Sequence, residues 1–160
     1  MREINFRAWD TWHNKYFENA EDVFISANGR IAMYTDTGAP DYGGFDEYQK
    51  RFLLEQYTGI DDRVGNAVHE NDIVEMDYRR GDHTILDPQT LGMVEQYSDV
   101  DTIVRGLVHV WPSTGVIINN ISSENPEQFV GDYKVPQYLH INRDCIVIGN
   151  IHDNADLLKE

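Results

Sequence analysis

Six carboxylates crowd one stretch of the chain: Asp61, Asp62, Glu70, Asp72, Glu75 and Asp77, with His69 among them. Clustered oxygens on a tight loop are what a hard divalent cation takes, calcium wanting six to eight of them. An EF-hand loop counted from Asp61 has Arg63 at the third position and Gly65 at the fifth, where ligands belong, and Asn66 in place of the required glycine. Counted from Asp62, Val64 takes the third position and Ala67 the glycine position, so the EF-hand fails. His69-Glu70 begins like the zinc-protease H-E-x-x-H, but Ile73 stands where the second histidine is needed. A less regular calcium or magnesium site stays open, serving a metal-dependent hydrolase built on the acidic 61–77 stretch. Its rival is a solvated acidic turn between two strands, with the carboxylates mostly facing water.

The six histidines (His13, His69, His83, His109, His140 and His152) fall on different predicted elements, and none pairs at i, i+4. Whether His69 and His152 converge with Glu70 and Asp72 depends on the fold. Cys145 is the only cysteine, so no intrachain disulfide forms. It could act as a nucleophile beside His140 or His152, but it opens an apolar run and reads as a buried, inert thiol. No P-loop, dinucleotide fingerprint or G-x-S-x-G elbow is present, and Gly43-Gly44 are turn residues. No catalytic, cofactor-binding or metal-binding residue is therefore assigned, no cofactor is expected, and the chain does not read as an enzyme.

Trp9, Trp12, Trp111 and nine tyrosines could stack on bases, but single-strand binders add a basic groove, and no basic run here exceeds two residues, as at Arg79-Arg80. Thirteen Lys and Arg against twenty-eight Asp and Glu give a net charge of −15, which repels phosphate backbones. The opening MREINFRAWD lacks the apolar segment of a signal peptide. No run reaches the ~18 apolar residues of a membrane span. A cytoplasmic protein without a membrane partner is the expectation.

The elements that must position these residues are mostly strands. Ile4 to Trp9 alternates, with Ile4 and Phe6 on one face and Asn5 and Arg7 on the other. Asp22 to Tyr34 is a hairpin around Asn28-Gly29, a pair that favours positive φ at both central positions. Thr35 to Gly44 reads as a loop, and Phe45 to Tyr57 as a short helical turn followed by a strand. Gly59 to Glu70 reads as a polar connection turning at Gly65-Asn66, leading into a strand over Asp72 to Tyr78 with Ile73 and Val74 inward. Arg79 to Val100 shows no period and reads as an insertion or mobile segment. Thr102 to Trp111 and Gly115 to Ile121 flank a hairpin turn, Cys145 to Ile151 is a buried strand, and Asn154 caps a short helix whose Leu157-Leu158 packs back. The fold class is mainly β, α+β at the margin: a curled sheet or small half-open barrel with hairpins and a short C-terminal helix. One domain over 1–160 is expected, with an N-terminal hairpin subdomain (1–45) and a variable insertion (79–136).

Three segments, REINFRAWD (Arg2 to Asp10), QYTGIDDRVGNAVHENDIV (Gln56 to Val74) and VIGNIHDNADLL (Val147 to Leu158), together resemble the YopX family of phage and prophage proteins. The first is similar to that family's R-x-x-F-R-x-W-D strand. The second is similar to its Q-Y-T-G-L-x-D-x-x-G-x-x-I-Y-E-G-D-I-V signature. The third is similar to its V-I-G-N-I-Y-E-N-P-E-L-L close. The departures are Asn71 for glycine, His152 for tyrosine and Ala155 for proline, and asparagine can keep the left-handed turn. The resemblance implies a β-rich, phage-encoded, homo-oligomeric accessory protein of unknown biochemical function. It would act on a host or phage protein, and it brings no catalytic residues to carry over. A nucleic-acid-associated regulator is the alternative that the aromatic content keeps open.

Overall fold

The computed structural model describes residues 4–43, 47–79, 81–98, 101–129 and 135–159. Arg2, Gly44, Phe45, Val100 and Arg80, and the side chain of His83, lie outside the described residues. The protein is mainly β, and the chain divides into two compact units, Met1–Gly59 and Ile60–Glu160.

The first unit contains β1 (Phe6–Asp10), β2 (Lys15–Tyr16), β3 (Val23–Ile25), β4 (Ile31–Tyr34), β5 (Pro40–Asp41), helix α1 (Glu47–Arg51) and most of β6 (Phe52–Asp61). β1 lies between β2 and β6, antiparallel to both, and β3-β4-β5 form a second small sheet. The helical turn followed by a strand is present as α1 and β6. The alternation expected in β1 does not set its burial: Ile4 is exposed, whereas Ala8, Trp9 and Asp10 are all buried in succession. Specific partners override the pleat here. Trp9 stands edge-on to Tyr16 at 5.0 Å, and Asp10 turns in to meet Arg51.

The hairpin at Asn28-Gly29 is present, but Gly29 alone of the two takes positive φ, +82°. The Gly29 N–H donates to Ser26 O and the Ser26 N–H to Arg30 O, leaving a three-residue loop with glycine in the left-handed position. The same closure recurs twice. Gly38 closes on Thr35 with φ +75°, and Gly65 closes on Asp62 with φ +91°. In each, the side-chain oxygen of the first residue also accepts the N–H of the fifth, at 3.1 Å (Ser26, Arg30), 3.2 Å (Thr35, Ala39) and 2.8 Å (Asp62, Asn66). A Ser, Thr or Asp placed three residues before a glycine thus makes one turn three times; in the sequence the second reads only as loop, and the third as a turn at Gly65-Asn66 within a polar connection.

The second unit contains β7 (Ala67–His69), β8 (Asp72–Arg79), β9 (Asp82–Leu86), β10 (Met93–Ser98), β11 (Asp101–Trp111), β12 (Gly115–Ser123), β13 (Tyr138–His140) and β14 (Ile146–Asn150). β6 runs on to Asp61 and β7 folds back beside its end, so Gly59 to Glu70 is a strand, a tight turn and a second strand instead of a polar connection. Between β7 and β8, Asn71 has φ +65°, the left-handed conformation asparagine tolerates.

β13-β12-β11-β8-β14 make a curled half-barrel sheet, antiparallel at every pairing. Its core is Val68, Val74, Met76, Val104, Val108, Ile118, Ile141 and Cys145. Ile73 and Val74 are consecutive yet both fully buried, so β8 is covered on both faces. The register between β11 and β12 shifts between Arg105 and Leu107, where Asn120 takes φ +49°. Such a bulge bends and twists the sheet. Gly106 sits at the bulge because a Cβ there would lie 2.8 Å from Ile118 Cβ and 3.0 Å from Asn119 O.

β14 is the sheet's edge, and its residues are half-buried, not buried as the apolar run suggests; only Cys145, just before it, is fully enclosed. The C-terminal turn is a 3₁₀ helix, Ala155–Leu158, lying against β11 and β12. Asn154 does not cap it. Its Oδ1 instead accepts the Asn150 N–H. Arg79 to Val100, read as irregular, contains the antiparallel hairpin β9-β10, whose apolar side chains face solvent on a two-stranded sheet and so leave no periodic signal. Among the described residues, no helix is long and apolar enough to cross a membrane.

Candidate functional site

The acidic stretch is divided among separate structural tasks. Asp62 is buried: Oδ1 accepts the N–H groups of Val64 and Asn66, and Oδ2 accepts Asn66 Nδ2 and, at 3.1 Å, the Val147 N–H. Burial opposes its charge, but these donors prevail and lower its pKa from the ordinary carboxylate value. Asp72 is also buried, and its Oδ2 accepts the His69 N–H at 2.8 Å. Glu75 faces Arg105 across β8 and β11, with Oε2 2.8 Å from Nε. Asp61 and Asp77 are exposed and Glu70 is half-buried. The expectation that these carboxylates mostly face water fails at Asp62 and Asp72, because a carboxylate can satisfy several buried backbone donors at once.

Two of the histidines lie on neighbouring turns: the Ile151 N–H donates to Asn71 O at 2.9 Å and Asn150 pairs with Asp72, so the turn carrying His152 sits beside the one that follows His69. His69 Nδ1 lies 3.2 Å from Ala67 O, His152 sits in the turn after β14 where its N–H donates to Asn150 Oδ1, and His140 lies edge-on to Tyr138. Among the described residues, no group of three or more His, Cys, Asp or Glu is arranged to hold a metal ion. Cys145 is buried. Desolvation, and then the charge of Asp62, push its thiol up to about 11.

Buried charge that sequence reasoning did not single out lies in the first unit. Arg7 and Glu55 are direct partners across β1 and β6, and Arg7 Nε donates to Glu55 Oε2 at 2.7 Å. Tyr16 OH donates to the same oxygen at 3.0 Å, and the Arg7 guanidinium lies 4.4 Å over the Tyr16 ring. Three positions along, Asp10 Oδ2 receives Arg51 Nε at 3.0 Å and Nη2 at 2.6 Å and lies 2.8 Å from His13 Nδ1, while Oδ1 accepts the Trp12 N–H. These groups border a cleft of about 300 Å³ with Lys15, Phe17 and Glu18. With both guanidinium contacts on one oxygen, Asp10 anchors α1 to β1 and orients His13. The available signal was a charged residue at the inward position of an apolar strand, as Glu55 is in RFLLEQY.

Exposed apolar surface is the remaining resource. On β9-β10 and its turn, Ile85, Leu86, Leu91, Met93 and Val94 all stand in solvent. Elsewhere in the second unit, Trp111 and Tyr138 pair at 6.0 Å, both exposed.

Two small β units with buried ion pairs, a curled sheet and an apolar hairpin define a mainly β protein. Residues 5–159 match the family model described as YopX protein, and the chain belongs to the YopX family. It is also similar to a solved structure, the crystal structure of protein EF1440 from Enterococcus faecalis, at 22% identity and a TM-score of 0.50, covering 99% of this chain and 100% of that one; the likeness is one of fold. No curated protein matches the chain.

Proposed function

We propose that this is a phage- or prophage-encoded accessory protein of the bacterial cytoplasm that acts through protein–protein contacts as a homo-oligomer, with a host or phage protein as a further partner. The observation that carries this reading is the placement of apolar surface. Interior charges are held in ion pairs and turns, whereas a row of large aliphatic side chains stands on one exposed hairpin. Apolar patches on soluble chains mark interaction sites. Size-exclusion chromatography with light scattering tests it: a mass above one chain at high micromolar concentration is expected, and a strict monomer of 18.5 kDa would sink the homo-oligomer.

The exposed Trp111–Tyr138 pair favours a second reading, a nucleic-acid-associated regulator that stacks bases on these rings. The charge of −15 opposes it. Gel shifts at low salt with single- and double-stranded probes decide, and absence of any retardation removes it.

A further inference from the structure

The hairpin β9-β10 is a sheet of its own, pairing with no other strand among the described residues. An isolated two-stranded hairpin is at best marginally stable in water, so a covering surface would add to its stability. Its register shows which face needs cover. Met93 pairs with Leu86 and Glu95 with Ile85, and the bulge between them sets both Met93 and Val94 opposite Leu86. Leu91, with φ +56°, extends the strip into the turn. Asp87, the one charged residue of that turn, is occupied in closing it: Oδ1 accepts the N–H groups of Gln89 and Thr90, both at 2.8 Å. From Pro88 to Val94 the sequence PQTLGMV carries no charge.

We infer that the Leu86–Leu91–Met93–Val94 face is the seam on which a second copy of this chain docks, hairpin face against hairpin face; this rests on the homo-oligomer reading above. Charge selects the occupant. Two chains of −15 each repel over most of their surfaces, and this strip, with Asp87 its single carboxylate and that one held in the turn, is where the same patch can meet itself with the least repulsion. Area agrees with it. Exposures of 49% for Leu86, 73% for Leu91, 66% for Met93 and 64% for Val94 are far above those of core residues, and Ile85, paired with Glu95, belongs to the other face. The side chains of the strip present on the order of 500 Å² per copy, so two copies cover about 1,000 Å², the threshold of a specific interface.

The test compares the unmodified chain with Leu86→Thr/Met93→Thr, a cross-strand pair that suits a hairpin, by light scattering at matched concentrations, with circular dichroism confirming that both are folded. The substituted side chains are solvent-facing, so the fold survives, and the expected result is an assembly for the unmodified chain with a loss of at least ten-fold in association for the variant. Hydrogen exchange adds a readout without substitution: protection of amides 84–86 and 93–95 should rise with protein concentration. A variant that assembles as well as the parent, or exchange at these amides independent of concentration, overturns the seam and leaves the homo-oligomer standing on some other surface. A monomeric parent overturns both.

Discussion

Arg7 and Glu55 meet as direct cross-strand partners, Nε 2.7 Å from Oε2, with Glu55 fully buried and Arg7 24% exposed. A buried carboxylate placed this way depends on its cation, because removing one partner leaves the other charge in a poor solvent. Arg7→Met should therefore cost about 3 kcal/mol, read as a shift in the urea midpoint with unchanged slope. A change below about 0.5 kcal/mol would show that Glu55 is satisfied without Arg7.

Asp10 gives the fold an acid limit. Burial raises its pKa, but hydrogen bonds from Arg51, His13 and the Trp12 N–H prevail and hold it well below the ordinary carboxylate range. The unfolded chain then binds the proton first as pH falls, so the stability owed to this group is full above about pH 4 and is lost progressively below it. Asp10→Asn should be less stable than the parent at pH 7 and show a flatter loss between about pH 4 and pH 2. Parallel curves for the two proteins would remove Asp10 from the acid transition.

Cys145 should be nearly inert in the folded chain. With its thiol pushed up to about 11 and its side chain enclosed, reaction with a disulfide reagent at pH 8 should run at least on the order of 100-fold slower than after unfolding in urea. Equal rates would mean that this part of the core opens readily.

Gly106 has no room for a methyl group. Ile118 Cβ and the Asn119 carbonyl would stand within 3.0 Å of it, and both belong to a paired strand. Gly106→Ala should cost about 1–3 kcal/mol in thermal or urea unfolding. An unchanged midpoint would mean that the bulge relaxes freely.

Much of this architecture is legible from local pattern. The hairpin over β11 and β12, the helical turn before β6 and the doubly buried Ile73-Val74 follow from turn residues and apolar runs. The three quoted segments place the chain in its family. What local pattern does not carry is which polar group goes inside. Asp62 and Asp61 are neighbours of the same type, yet one binds the Val147 N–H from a strand far along the sequence and the other faces solvent. Glu55 is one polar residue in the apolar run RFLLEQY, and nothing local marks it as buried until Arg7 is set opposite it. The acidic stretch divides for the same reason: Asp62 and Asp72 turn in to separate backbone donors, Glu75 pairs with the Arg105 guanidinium, and Asp61 and Asp77 are exposed. β9-β10 escapes notice because its apolar residues point outward, the reverse of what periodicity detects.

The thrice-used turn has a consequence for how such a chain can change. Closure is carried by the first and fourth residues, a side-chain oxygen and a glycine. The two residues between them, Ala27-Asn28, Asp36-Thr37 and Arg63-Val64, are all exposed. Asn28 and Thr37 still bond back to the hydroxyl of the turn's first residue, but Ala27, Asp36, Arg63 and Val64 stand at the corners of a fixed frame, where one side chain can be exchanged for another and the outline rewritten without refolding anything beneath it.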